Sequence, residues 1–215
     1  MTAATPETSE EPSFEPDGRV RCAWIDESRL APADFILYRD YHDTEWGRPL
    51  RDSVALFERV SLEAFQSGLS WLVILRKREN FRRAFHNFDI DRVARYTERD
   101  ITRLMGDAGI VRNRAKIEAT IANAQAAADL RDAGTDLAEL LWSFAPRPRP
   151  RPASFAEIPA VTPESTAMAK ELKRRGFRFV GPTTAYALMQ ATGMVDDHTA
   201  DCWVPATSAA PGKRP

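Results

Sequence analysis

Apolar residues in this chain recur at intervals of three and four, the spacing of one face of an α-helix. The clearest example is a predicted helix over residues 53 to 67, capped by Ser53 and stopped by Gly68, with Leu56, Val60 and Ala64 on its apolar face. No segment alternates apolar and polar residues over a useful length. The pattern therefore predicts an all-α fold.

Start and stop residues predict the remaining helices. Ser70 precedes a helix with apolar residues as far as Phe85, and Thr97 with Asp100 reads as a capping box before a short helix that ends at Gly106. Further helices are expected over residues 114 to 131, 135 to 144 and 163 to 175. Gly176 should end the last of these, and Gly181 with Pro182 should begin the next. Such a hairpin points backbone N–H groups outward, which suits a phosphate.

Composition divides the chain into segments. Residues 1 to 20 are acidic and polar and are predicted to be disordered, residues 21 to 204 form the helical domain, and residues 205 to 215 form a flexible tail. Inside the domain, residues 145 to 153 alternate proline with arginine. Because proline lacks an N–H group and has a fixed φ, this part is predicted to be an extended, exposed, basic linker.

Overall composition sets limits on function. The 215 residues have a formal net charge of −1, which argues against a uniformly basic nucleic-acid binder but leaves room for a local basic face. No apolar run is long enough to span a bilayer, and no signal peptide is recognisable, so no membrane partner is expected and a cytoplasmic location is predicted. A monomer is the default expectation.

Cysteine and histidine are scarce and lie near the two ends of the chain. There are two cysteines and three histidines. Cys22 and His42 lie near one end, and His198 and Cys202, one helical turn apart, lie near the other. These four residues are either a Cys2His2 zinc site joining the two ends or a pair of buried thiols with hydrogen-bonded histidines.

Glu63 and two tryptophans are candidates for a functional site. Glu63 projects from the apolar side of the predicted 53–67 helix, where a carboxylate is costly to bury without a partner. It is therefore either a functional group or a residue at a frayed helix end that reaches water. For Trp24 and Trp71, taken alone, core packing is the simpler interpretation.

Several motifs together resemble one family. They are Arg21-Cys-Ala-Trp, Tyr41-His-Asp-Thr-Glu-Trp-Gly, Gln66-Ser-Gly-Leu-Ser-Trp, Asp107-Ala-Gly-Ile-Val-Arg-Asn-Arg-Ala-Lys-Ile, Arg174-Arg-Gly-Phe-Arg-Phe-Val-Gly and Asp196-Asp-His-x-x-x-Cys. In this order and spacing, from Arg21 to Cys202, they resemble the 3-methyladenine DNA glycosylase I family. The resemblance implies a helix-hairpin-helix glycosylase that binds double-stranded alkylated DNA and turns the damaged nucleotide out of the duplex.

The resemblance also implies roles for particular residues. A structural zinc ion would be held by Cys22, His42, His198 and Cys202. Trp71 would stack on the flipped base, Glu63 would accept a hydrogen bond from its amine, and Trp24 and Tyr41, with Tyr38 as an additional candidate, would form the walls. A turn containing Gly68 and Leu69 would fill the gap left in the duplex, and Gly181 in the hairpin would bind DNA. The alternative for this turn is an ordinary connection between helices.

The chain departs from the wider superfamily pattern in the hairpin. Phe179 replaces the usual first glycine, and Thr183 stands where enzymes that also cut the backbone have a lysine. No Schiff base can form at Thr183, so a monofunctional glycosylase is expected.

Three questions stay open from the sequence. The superfamily's catalytic aspartate lies in a Val-Asp-x-His context like that of Asp196, but this family commonly has asparagine there. Asp196 either stabilises an oxocarbenium-like transition state or caps the segment bearing His198. The alternative functions are a non-catalytic helix-hairpin-helix DNA-binding module, which has no use for Glu63 or Trp71, and a glycosylase for another alkylated base.

Overall fold

The computed structural model describes residues 17–206, and this part of the chain folds into nine α-helices. They are α1 Pro32–Thr44, α2 Ser53–Gln66, α3 Trp71–Ala84, α4 Ile90–Ala94, α5 Glu98–Gly106, α6 Arg114–Asp132, α7 Leu137–Trp142, α8 Pro163–Arg174 and α9 Pro182–Ala191. No strand occurs within residues 17–206, so the all-α prediction is confirmed. The predictions for residues 1–16 and 207–215 lie outside the described residues, and the domain division stays a prediction. None of the described helices has the length and apolar character needed to cross a bilayer.

The helix boundaries follow the capping residues, with one correction. Asp52, and not Ser53, caps α2, because its carboxylate accepts a hydrogen bond from the backbone N–H of Ala55 at 2.8 Å. Ser53 lies inside the helix, and its hydroxyl accepts from the N–H of Ala138 at the start of α7. The predicted capping box of α5, between Thr97 and Asp100, is confirmed.

Two further predictions of helix limits need correction. The helix predicted over residues 135 to 144 is shorter in the structure. Asp136 is its N-cap, so the helix begins at Leu137, and it ends at Trp142. Ser70 occupies the position before α3 but makes no capping hydrogen bond with its side chain.

Helix α2 lies at the centre of the fold, in contact with α3, α6, α7 and α9. Residues 56, 57, 60, 62 and 65 of this helix are all at most 1% exposed. Burying large apolar side chains of this kind contributes about 1.5–3 kcal/mol each before entropic costs. Residues 59–65 of this helix are all buried, and a helix covered in this way gives a rigid position to Glu63 within that range.

Helices α8 and α9 pack against each other and are joined by a hairpin over residues 175–181. Gly176 follows α8 with a φ of +93°, and Gly181 with Pro182 starts α9, both as predicted. Between them, Phe179 adopts a φ of +56° and is 41% exposed. A phenylalanine in the left-handed region is strained, and strain of this kind concentrates at functional positions.

The Pro-Arg segment is non-helical and its residues 147–150 are exposed, as predicted, but two of its arginines also bind other parts of the domain. Arg149 donates to the Asp197 carboxylate at 2.8 Å and to the Tyr186 hydroxyl at 2.7 Å. Arg151 donates to the Asp196 carboxylate at 3.0 Å and to a backbone carbonyl at 2.7 Å. The segment is held against the loop that follows α9, because this loop supplies the buried Asp197 and the partly buried Asp196 as partners to two successive arginines.

Candidate active site and metal centre

Cys22, His42, His198 and Cys202 meet in one buried cluster, as the sequence proposed. Their ligand atoms all lie within 4.8 Å of one another, and each residue is at most 7% exposed. Sγ of Cys22 is 3.6 Å from His198 Nδ1, and Sγ of Cys202 is 3.5 Å from that atom and 3.6 Å from His42 Nε2. In a tetrahedral zinc site with bonds of about 2.3 Å to sulfur and about 2.0 Å to nitrogen, such edges measure about 3.5 Å. The three sulfur–nitrogen edges therefore fit a tetrahedral ion of this size, and the remaining pairs of ligand atoms lie no more than 4.8 Å apart.

The two histidines of the cluster are oriented by their other ring nitrogens. His42 Nδ1 lies 2.8 Å from the Asp43 carboxylate, which also accepts from Arg21 and from the Trp203 indole. His198 Nε2 lies 3.2 Å from the carbonyl oxygen of Trp46. Partners of this kind fix the tautomer of a metal-binding histidine and point its free nitrogen at the metal.

A small aromatic cavity of about 240 Å³ lies beside this cluster. Every residue that the sequence proposed as base-binding lines it, together with Glu63 from α2. These residues are Trp24, Tyr38, Tyr41, Trp71 and Glu63. The volume lies just below the range of drug-sized pockets, so it suits a ligand as small as one base.

The aromatic rings of the cavity pack against one another. The centroid of the Tyr41 ring lies 5.4 Å from that of Trp71, and Trp24 makes an edge contact with Tyr38 at 5.4 Å. Trp24 also makes edge contacts at 5.2 Å with His42 and with Trp46. Contacts at this distance favour a fixed set of ring planes. The Trp71 indole N–H is buried and has no acceptor among the described residues, although buried donors are nearly always paired.

Glu63 supplies a carboxyl group to the cavity, and it is 5% exposed. Burial raises the pKa of its carboxyl from 4.5 to about 7, while the positive charge of Arg59 acts in the opposite direction. Arg59 is itself held by Glu45, and its guanidinium lies 5.3 Å from the centroid of the Tyr41 ring. A carboxylate buried in this way is costly to keep charged. A cationic ligand would remove that cost.

A groove beside the cavity leads to the start of α9. It is lined by Gly68 and Leu69 of the turn between α2 and α3, by Thr183 and Thr184 of α9, and by Glu63, which the two spaces share. Leu69 is 41% exposed, and Gly68 has a φ of +80° with open space around its Cα. Gly181 lies at the N-terminus of α9, outside the residues that line this groove.

Several wall residues were not identified from the sequence: Trp46, Gln66, Phe155, Ile158, Ala187 and Gln190. Trp46 and Gln66 belong to motifs already quoted, so their presence in those motifs was a usable signal. Gln190 had none. Its side-chain amide donates to Asp197 at 2.9 Å, and its carbonyl accepts from the N–H of Gly47. This network connects the cavity wall to the Pro-Arg segment through Asp197.

Asp196 lies outside the aromatic cavity. Its carboxylate accepts from Arg151 at 3.0 Å and from the backbone N–H of His198 at 3.3 Å. Both contacts hold the segment that bears His198.

A larger cavity, about 760 Å³, lies elsewhere, between the start of α2, α4 and the end of α6. It has no tryptophan, tyrosine or phenylalanine in its walls. Its charged residues include Arg131 and Asp91, which pair with each other at 2.8 Å. We therefore place the functional site at the smaller aromatic cavity.

An all-helical domain with a helix-hairpin-helix edge and a base-sized aromatic cavity defines the class of helical DNA glycosylases. The family model described as methyladenine glycosylase matches residues 33–205. The chain belongs to this methyladenine glycosylase family. The resemblance inferred from the sequence motifs is thereby confirmed, and the chain is a glycosylase, a hydrolase in class.

Relatives support the same assignment. DNA-3-methyladenine glycosylase 1 of Escherichia coli strain K12 is 44% identical over 197 residues, which cover 91% of this chain and 99% of the relative. A crystal structure of a 3-methyladenine DNA glycosylase I is 46% identical, with a TM-score of 0.80 over 86% of this chain and 98% of that one. Another, a tyrosine-to-phenylalanine variant in complex with 3-methyladenine, is 36% identical, with a TM-score of 0.79 over 86% and 98%.

Proposed function

We propose that the protein is a monofunctional DNA glycosylase that hydrolyses the N-glycosidic bond of 3-methyladenine in double-stranded alkylated DNA. The observation that supports this most strongly is Glu63, a buried carboxylate among aromatic rings in a cavity the size of one base. Methylation at N3 makes the base cationic and weakens its glycosidic bond. A cavity with an anion and π faces selects such a base over a neutral one.

Each side chain of the cavity has a proposed role. Trp71 stacks on the flipped base, and stacking of this kind is worth about 1–3 kcal/mol per base. Glu63, ionised by the presence of the cation, accepts a hydrogen bond from the exocyclic amine. Trp24, Tyr41 and Tyr38 form the walls and exclude water. When the bond breaks, its electron pair leaves with the base, which becomes neutral, and water adds to C1′ and loses a proton.

The DNA contacts are proposed from the groove beside the cavity. Leu69, exposed at the turn after α2, and Gly68 beside it fill the gap that the flipped nucleotide leaves. The N-terminus of α9, which begins after Gly181, binds a backbone phosphate through N–H groups that donate to the phosphate oxygens. With Thr183 at the start of α9, this position has no amine for a Schiff base, so we propose that the backbone is not cut.

Zinc is the metal that we propose for the Cys2His2 cluster. The donor set and the spacing of about 3.5 Å between sulfur and nitrogen suit it. Cys22, His42, His198 and Cys202 would hold it. A zinc ion with four protein ligands has no open position, so it would stabilise the fold by joining the two ends of the domain. We propose further that the protein acts as a monomer and, because this cluster keeps both cysteines out of a disulfide, in the cytoplasm.

The test is to incubate the protein with methylated duplex DNA and to identify the released bases by chromatography. The proposal expects 3-methyladenine as the principal released base, with the DNA backbone left intact. Tight binding without base release would contradict it and would favour the DNA-binding module. Release of a different methylated base in its place would assign the protein to another lesion.

A further inference from the structure

Lys116 is a buried lysine that the proposed function does not use. It is the third residue of α6 and is 6% exposed, although lysine is almost never fully buried without a partner. The position is unfavourable for a second reason, because the first turn of a helix has a partial positive charge that repels a cation. Burial lowers the pKa of its ammonium, and no carboxylate among the described residues acts against this.

The partners of Lys116 are two backbone carbonyls of one turn. Its Nζ donates to the carbonyl of Phe65 at 2.9 Å and to the carbonyl of Ser67 at 2.5 Å. Phe65 lies in the last turn of α2 and Ser67 is its C-cap, where the carbonyls have no partner within the helix and the helix dipole is negative. The ammonium thus stabilises the end of α2, two residues after Glu63 and two before Leu69.

The turn over residues 66–69 has little else to fix it. Gln66 is half-buried and residues 67, 68 and 69 are exposed. Gly68 has no atom within 4 Å of the place that a Cβ would occupy. Apart from the Lys116 contact, the hydrogen bonds of this turn are local, from Ser67 N–H to Ala64 and from Leu69 N–H to Gln66. A short exposed turn with a glycine at a φ of +80° is flexible unless it is held.

We infer that Lys116 is a positioning residue for base flipping: its ammonium holds the 66–69 turn rigid so that Leu69 can enter the duplex. This inference rests on the proposed function. It accounts for a lysine in the Asp107-Ala-Gly-Ile-Val-Arg-Asn-Arg-Ala-Lys-Ile motif, which has no other role in the site. Asn113 of the same motif caps α6 and accepts from the backbone N–H of Lys116 at 3.1 Å, which fixes the lysine's backbone. Approaching DNA phosphates would stabilise the buried cation further.

The test compares Lys116→Met with wild type in three assays. The variant keeps an unbranched apolar stem that reaches as far as the Cε of lysine and loses the charged donor. We expect single-turnover release of 3-methyladenine from duplex DNA to fall by about tenfold or more, since small misplacements in a site have effects of this size. A fluorescent base analogue placed beside the lesion should show a matching loss of duplex opening. Binding of free 3-methyladenine, followed by tryptophan fluorescence, should stay within twofold of wild type.

Lys77→Met is the matched control. Lys77 also donates to a backbone carbonyl, that of Ala108 at 2.8 Å, but on α3 and away from the turn. Lys77→Met should release 3-methyladenine from duplex DNA at the wild-type rate. Lys116→Arg keeps the charge and two donors and should recover most of the rate. If Lys116→Met does not fold, Lys116→Gln, which keeps one donor group, serves in its place with an expected loss of about threefold or more.

Two outcomes would overturn the inference. One is a folded Lys116→Met or Lys116→Gln variant that releases base from duplex DNA at the wild-type rate. The other is an equal loss of free-base binding and of release, since that would show general damage to the cavity. If wild type itself released no 3-methyladenine, the proposed function would fail instead, so the two failures are distinguishable.

Discussion

Tyr41 and His42 are consecutive residues of α1 that face two different sites. The centroid of the Tyr41 ring lies 5.4 Å from that of Trp71 in the aromatic cavity, whereas His42 Nε2 lies 3.6 Å from Cys202 Sγ in the metal cluster. Trp24 connects the two sites, with edge contacts to His42 and to Tyr38. The wall of the base cavity and the metal ligand therefore share one rigid piece of backbone.

Removing one ligand should consequently affect both sites. We expect Cys202→Ala to lose the metal and to lower the free energy of unfolding by at least about 3 kcal/mol, or about 6–12 °C in Tm. Affinity for free 3-methyladenine should fall as well, because Tyr41 and Trp24 lose their support. Metal analysis of the purified variant and thermal unfolding measure this. A variant that retains one equivalent of zinc would contradict the assignment of the ligands.

Asp196 should be dispensable for the chemistry. Its carboxylate binds Arg151 and the N–H of His198, and it does not line the cavity. Asp196→Asn retains the capping oxygen, so we expect the single-turnover rate of base release to change by less than about twofold. The ion pair with Arg151 is largely buried, so its loss should lower the free energy of unfolding by about 1–3 kcal/mol. A rate reduced tenfold or more in the folded variant would instead assign Asp196 to the reaction.

Two glycines with similar backbone angles should respond very differently to alanine. Gly193 has a φ of +69°, and a Cβ there would lie 2.6 Å from backbone atoms of Arg48 and Pro49. Gly134 has a φ of +85° and open space around it. Gly134→Ala should therefore lower the free energy of unfolding by about 1–2 kcal/mol, because alanine is strained in the left-handed region. Gly193→Ala adds a backbone clash and should cost about 3 kcal/mol or more.

Urea unfolding of the two variants measures this difference. Equal destabilisation would mean that the loop over residues 47–50 and the end of α9 do not pack as closely as described. The contrast matters for function because that loop follows Trp46 and contacts α9 beside Gln190.

Glu63 should make the stability of the protein depend on pH. Its pKa in the folded protein, about 7, is above the ordinary 4.5, so the folded state binds more protons between these values. The contribution of protonated Glu63 to the free energy of unfolding is fully present below about pH 4.5. It is lost as the pH rises through about 7. Relative to Glu63→Gln, wild type should thus lose roughly 3 kcal/mol between pH 4.5 and pH 8. Urea unfolding of both proteins across this range checks it, and parallel pH curves would contradict a raised pKa.

The sequence predicted much of this because the chemistry of the site depends on rare residues. Two cysteines and three histidines leave few possible metal sites, and Glu63 stands out as a carboxylate on an apolar helix face. Helix ends with a clear capping signal, such as those at Thr97 and Gly181, were predicted at the right residues. Where two capping residues adjoin, as Asp52 and Ser53 do, pattern alone could not tell which one caps α2.

The rest of the site depends on contacts between distant segments. Gln190 reaches the cavity because Asp197 and Gly47 hold it, and Arg149 of the exposed Pro-Arg segment turns its guanidinium inward because it donates to the buried Asp197. Lys116 looks like a surface residue of an Ala-rich helix until the end of α2 is placed next to it. None of these contacts can be predicted from local sequence. The Arg149–Asp197 and Lys116–Phe65 contacts join residues more than 40 positions apart, and the position of Gln190 depends on its long-range bond to Gly47.

The central claim is that Glu63 in its aromatic cavity reads the cationic base, and one rate comparison tests it most directly. Single-turnover release of 3-methyladenine from alkylated duplex DNA is measured for wild type and for Glu63→Gln, with folding of the variant verified by thermal unfolding. The account predicts a decrease of at least about tenfold, equivalent to about 1.4 kcal/mol of lost transition-state stabilisation. A folded Glu63→Gln variant that released the base at the wild-type rate would contradict it.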